Sequence, residues 1–261
     1  MSLTTNQYVT YSCTDRVARI TWNEGDRGNP IHNDSMAEML AAVLQARADR
    51  ARVIVLASTG RFFSVGGDVA SFADQDDVSA YVDDLADMLH RVVSELTRGE
   101  AVVVSQVQGS AAGAGFPIAF AADLVVASTK ATFTMAYTKI GLTIDGSSSQ
   151  LVHSLGLHQM LRLALLNDPI SAADLHATGM IARLVEPEAL EAETESVVAT
   201  LLAGSVGAFA ATKRLLRDAV EPNPESAMRR EALAIRAACA TPDGREGVRA
   251  FIEKRPAVFP G

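Results

Sequence analysis

Short β-branched runs alternate with helical patterns through the first half of the chain. Val17–Trp22, Arg52–Ala57, Val102–Val107 and Leu124–Ala127 read as strands. Met36–Ala48 and Val78–Leu96 place apolar residues at the three- and four-residue spacing of amphipathic helices. From about Ser154 onward the pattern is nearly all helical, broken at Pro169, Gly179, Pro187, Pro222, Pro224 and Pro242. Strands first and helices after predict an α/β fold, a sheet-rich core with a helical appendage. The expected division is residues 1–195 and 196–261. No fixed-period repeat and no low-complexity tract interrupts this plan.

Two glycine-rich turns stand out against it. Arg61–Asp68 (Arg-Phe-Phe-Ser-Val-Gly-Gly-Asp) follows one strand and precedes a helix, so its glycines lie where the backbone turns tightly and aims N–H groups outward. Gly109–Pro117 follows the strand Val102–Val107 and leads into an apolar helix over Phe116–Ala122. The N–H groups of a helix start carry partial positive charge and suit an oxygen that becomes anionic during reaction. Pro117 fits the first helical turn, where its missing N–H costs nothing. The alternative reading, that both clusters only permit close packing, stays open on spacing alone. Neither turn matches G-x-G-x-x-G or a P-loop.

Composition narrows the functional classes. At 261 residues and 48% hydrophobic, the chain can bury a large core. A net charge of −8 argues against a nucleic-acid footprint. An anionic cofactor would need local cations, for which Arg27, Arg61, Lys254 and Arg255 are candidates. Cys13 and Cys239 suggest no disulfide framework and hence a reducing compartment. Met1 to Thr10 lacks the flank and apolar run of a signal peptide, and Ser110–Ala127 is interrupted by Gly113, Gly115, Pro117 and Asp123. A cytoplasmic protein without a membrane span is expected. The acidic stretch Asp74-Gln75-Asp76-Asp77 reads as a solvated loop or helix start, and no metal site is expected there. His32, His153, His158 and His176 lack ligand spacing and read as surface or helix-packing residues. Ser147, Ser148 and Ser149 form no nucleophile elbow.

The order of these segments resembles the crotonase (enoyl-CoA hydratase/isomerase) superfamily. The matching pieces are Val53–Leu56 with Arg61–Asp68, the segment through Asp123-Leu124-Val125, Phe133–Ser149, and Phe251–Pro256. The resemblance implies a right-handed spiral of β-β-α turns with a C-terminal helical trimerisation region, assembled as a homotrimer or hexamer. It implies an acyl-CoA thioester substrate, with coenzyme A as part of that substrate and no permanently bound cofactor. The backbone N–H groups of Gly67 and Ala114 would form the oxyanion hole. Val65, Asp68 and Tyr137 would contact substrate, and Lys254 and Phe259 would lie near the nucleotide, including that of a neighbouring subunit.

The two glutamates of typical hydratases correspond here to Pro117 and Tyr137. Hydration shares its proton transfers between two carboxylates, so this departure argues against it. Asp145 matches the proton-transfer aspartate of the epoxyphenylacetyl-CoA isomerase and enoyl-CoA isomerase branch, with Ile144 in place of the usual proline and serines in place of glycines after it. One carboxylate suffices to move a proton from C2 to C4 through a dienolate held by two donors, each worth about 2.7–4 kcal/mol in comparable sites. Flanked by Ile140, Leu142 and Ile144, Asp145 would be partly desolvated, which strengthens a carboxylate as a base. The plainer reading of Asp145 is a cap for a helix starting near Ser147. His90 and Asp145 also reproduce the base and nucleophile of the chlorobenzoyl-CoA dehalogenases, and Tyr137 falls where those enzymes have a pocket aromatic. Besides the isomerase reading, the alternatives are therefore an enoyl-CoA hydratase, a dehalogenase-like hydrolase, and a non-catalytic acyl-CoA binding protein.

Overall fold

A computed structural model describes residues 2–5, 7–72 and 75–260. Its main sheet runs in the order Ser2–Thr5, Val9–Thr14, Val17–Trp22, Val53–Ser58, Val102–Val107, Leu124–Ser128, Arg183–Val185. The first two pairings are antiparallel and the rest parallel. Each central strand is followed by a short strand that leaves the main sheet for a second one. Phe62–Ser64, Ser110–Ala112 and Thr132–Thr134 pair in parallel there, with Ile170–Ser171 antiparallel at the edge. Helices Val69–Phe72 and Gly115–Phe120 then return the chain, so the repeating unit is strand, strand, helix.

The central strands read as continuous apolar runs because both faces are covered. Successive side chains alternate. Ile54 and Leu56 point into the main core with Trp22, Phe63 and Phe133, whereas Val53, Val55, Val104 and Val126 meet Leu190 and Val198 of the helix Leu190–Ala203. That helix crosses the expected division at residue 195. Full burial of each such side chain stabilises the fold by about 1.5–3 kcal/mol.

The long helix Val78–Arg98 buries Val82, Leu85, Ala86, Leu89, Val92, Val93 and Leu96, with His90 on the same face. Asp77 accepts from the Ala80 N–H at 3.0 Å and caps it, so the acidic stretch is a helix start; Asp74, like Met1, lies outside the described residues. The helix expected from Met36 begins at Asn33, because His32 and Ser35 form a reciprocal capping box ahead of it. The second glycine turn leads into Gly115–Phe120, shorter than the expected Phe116–Ala122.

After Ser154 the described elements are helices apart from two short strands, Ile170–Ser171 and Arg183–Val185, which fits the nearly all-helical expectation. Both are too short to show a period of two, and they exist because the sheet edges supply their hydrogen-bond partners. Pro187, Pro224 and Pro242 sit in first helical turns. The helix Pro224–Ala240 lies antiparallel on Val78–Arg98. Glu225 near its start meets Arg98 and Ser94, while Arg229 and Arg236 reach Asp83 at 2.9 and 3.0 Å. Among the described residues, no single helix is long and apolar enough to cross a membrane.

Candidate active site

The two glycine turns touch. Gly66 has φ +87°, and a Cβ there would lie 2.6 Å from the Ala112 carbonyl oxygen. A Cβ on Gly115 would lie 2.7 Å from the Ser64 Cβ. Close packing therefore does account for these two glycines. The same contact brings Gly67, paired with Ile31 in a short parallel ladder, and Ala114, at the N-cap of Gly115–Phe120, to the wall of one cavity. A Cβ on Gly67 itself would meet only the Phe72 ring, at 3.6 Å.

That cavity, about 120 Å³, is walled by apolar side chains including Val69, Leu85, Leu89, Leu142 and Ile235. Asp145 is its carboxylate and is only 5% exposed. Its Oδ1 lies 2.8 Å from His90 Nε2, which the apolar face of Val78–Arg98 delivers across the cavity wall. Among the described residues the side chain caps no helix, and Ser147, the N-cap of the turn Ser148–Leu151, makes no side-chain cap bond either. Backbone atoms fix the segment instead. The Asp145 carbonyl accepts from the Tyr137 hydroxyl at 2.8 Å and from Ser148 Oγ at 2.6 Å. Burial pushes the Tyr137 phenol well above its ordinary range, with the Asp145 and Glu231 charges adding to the rise, so it stays a donor.

Of the other expected contacts, Val65 and Tyr137 line the cavity. Asp68 does not; its carboxylate holds Arg27 at 2.6 Å. Lys254 and Phe259 are also outside the lining, which includes Phe251 instead. Three of the four proposed cations have other partners. Arg27 also pairs with Glu24, Arg61 stacks over the Phe62 ring at 4.3 Å, and Arg255 chelates Glu246. His32 is 8% exposed and bonds Glu24 at 2.9 Å, and His176 bonds the Ile181 carbonyl at 2.8 Å.

Linear reading missed Glu231. It sits on the helix Pro224–Ala240, is 6% exposed, and accepts from the Ser147 and Ser149 N–H groups at 2.7 and 2.8 Å. One ligand-type atom each from His90, Asp145 and Glu231 lies within 4.8 Å of the others. An acid among buried positions of an amphipathic helix is the one signal the sequence offered.

A sequence model of the enoyl-CoA hydratase/isomerase family matches residues 13–261. The chain is 30% identical over 258 residues to a trans-2-decenoyl-[acyl-carrier-protein] isomerase of Streptococcus mutans, covering 97% of this chain and 98% of that one. It is 31% identical over 252 residues to a 1,2-epoxyphenylacetyl-CoA isomerase of Escherichia coli, covering 94% and 95%. Among solved structures, an enoyl-CoA hydratase of Mycobacterium avium subsp. paratuberculosis superposes with a TM-score of 0.88 at 30% identity, covering 97% of this chain and 99% of that one. With a spiral of β-β-α turns, two fused glycine turns and an end-to-end match of this kind, the chain belongs to the enoyl-CoA hydratase/isomerase family and has the crotonase fold.

Proposed function

We propose that this enzyme shifts the double bond of an enoyl thioester, with Asp145 as the sole proton carrier. The observation that carries this reading is the placement of Asp145, buried in the same apolar cavity as Gly67 and Ala114, while the hydratase acid positions hold Pro117 and Tyr137. The thioester carbonyl accepts from the Gly67 and Ala114 N–H groups. Asp145 takes the proton from C2, the electron pair delocalises into a dienolate whose charge rests on the carbonyl oxygen, and the proton returns at C4 while the C2–C3 double bond forms. Oδ1 is held by His90, and Oδ2 makes no hydrogen bond among the described residues, which leaves it for the substrate. With Asp145 ionised, His90 Nε2 is the donor of that bond. Coenzyme A enters and leaves as part of the substrate.

Asp145→Asn tests the role. The variant should bind a 3-enoyl-CoA as the wild type does and lose turnover by roughly 10²–10⁴-fold, the usual weight of a general base. Unchanged turnover would overturn the reading, and a wild type that binds but shifts no double bond would make the protein a binder.

The His90–Asp145 contact also suits a second reading, hydrolysis through an aryl ester of Asp145 with His90 activating water. A single turnover in H₂¹⁸O separates the two, because only hydrolysis of that ester leaves label in the Asp145 carboxyl.

Assembly as a homotrimer or a multiple of it forms part of the same proposal. Leu157, Leu161 and Leu165 recur every four residues on the helix Leu157–Leu166 and are 60%, 41% and 64% exposed, an apolar stripe that a neighbouring subunit would cover.

A further inference from the structure

Glu231 is a charged side chain placed among the apolar residues Met228, Ala232 and Ile235 of its own helix, all buried. Burying a carboxylate is costly unless hydrogen bonds compensate. Here each oxygen accepts one backbone N–H, from Ser147 and from Ser149. Ser147 itself adopts φ 75°, next to Gly146 at φ 73°. A serine is strained in that left-handed region, whereas glycine adopts it freely. Glu231 thus clamps the strained turn that immediately follows Asp145.

We infer that Glu231 is a positioning residue for the Asp145 proton transfer, reaching the active site from the C-terminal helix and acting by holding the 146–149 turn and by setting a second negative charge beside the base. This inference rests on the isomerase reading above and extends it to a residue outside the β-β-α turns.

Four groups share the site. Asp145 comes from the turn, His90 from Val78–Arg98, Tyr137 from the preceding loop and Glu231 from Pro224–Ala240. Burial pushes the Glu231 carboxyl up, the Ser149 contact pulls it down, and the Asp145 charge raises it again. Asp145 and Glu231 each present an oxygen within 4.8 Å of the other. Glu231 therefore sets a second carboxylate beside the Asp145 carboxylate. When the C2–H bond breaks and the Asp145 O–H bond forms, the repulsion between the two carboxylates is relieved as negative charge moves to the thioester oxygen.

Glu231→Gln keeps the size of the side chain and removes its charge. Turnover of a 3-enoyl-CoA should fall at least tenfold while the Kd for the substrate analogue hexanoyl-CoA stays within threefold of wild type. Glu231→Asp, which keeps the charge, should retain more turnover than Glu231→Gln. Wild-type turnover in Glu231→Gln, or an Asp variant no better than the Gln variant, would overturn the inference.

A second measurement needs neither folding of the Glu231 variants nor any turnover. The ¹³C carboxyl resonance of Glu231, followed against pH, should titrate at a lower pH in Asp145→Asn than in wild type. A midpoint that ignores the Asp145 substitution would also sink the inference. If the wild type shifts no double bond but this midpoint moves, the isomerase reading fails and the coupling of the two acids stands.

Discussion

Gly66 and Gly67 are neighbours with opposite constraints. Gly66 is left-handed and abuts the Ala112 carbonyl, whereas a methyl group on Gly67 reaches only the Phe72 ring. Gly66→Ala should therefore destabilise the protein by about 1–3 kcal/mol, the range for a residue forced into a disfavoured backbone conformation, before any clash is counted. Gly67→Ala should leave the unfolding temperature nearly unchanged and act on turnover. Thermal unfolding of both variants checks this, and equal losses would contradict it. The sequence showed that this turn was tight and could aim N–H groups, but not which glycine the packing required. That distinction depends on Ala112 and Gly113, from a turn some 45 residues away in the chain.

At the level of elements, the pairing of Val78–Arg98 with Pro224–Ala240 holds Glu231 and Ile235 against the site. Arg98 contributes to that pairing through Glu225, whose carboxyl the Arg98 guanidinium holds at about 2, with burial opposing the shift. A depressed acid stabilises the fold above its unfolded value, near 4.3, and that contribution disappears as the pH falls through about 2. Arg98→Ala should thus cost stability at neutral pH and match the wild type near pH 2. Because Glu225 is 46% exposed, the cost at neutral pH should be under about 1 kcal/mol and shrink with added salt. Urea unfolding at the two pH values measures it. The helix Val78–Leu96 was legible because its apolar stripe runs unbroken through five turns, and the central strands because β-branched runs have few other homes. Ile170–Ser171, Arg183–Val185 and the placement of Glu231 were not, since each is fixed by a partner distant in sequence. Asp145 was legible through resemblance alone; its own segment read more readily as a cap.

For the whole molecule, the link between the spiral and the C-terminal helices includes one nearly buried ionic group. Lys213 reaches Asp123 at 2.8 Å, and Arg217 reaches the other Asp123 oxygen at 2.8 Å. Burial lowers the Lys213 ammonium and the Asp123 charge opposes that fall. Asp123→Asn would leave the Lys213 cation buried without its counter-ion, at a cost of about 3–5 kcal/mol, far above that of Arg98→Ala. Denaturant midpoints of the two variants test the ranking. Light scattering of the native protein should give three chains or a multiple of three, and a monomer would leave the Leu157–Leu165 stripe without an occupant. Ile235 lines the cavity that holds Asp145 and Glu231 clamps the turn after it, yet both lie beyond residue 223. During synthesis on the ribosome, every described strand therefore precedes the helix that clamps the turn after Asp145. A nascent chain can therefore bury most of its sheet before Pro224–Ala240 docks, and the wall of the cavity that Ile235 supplies is completed last.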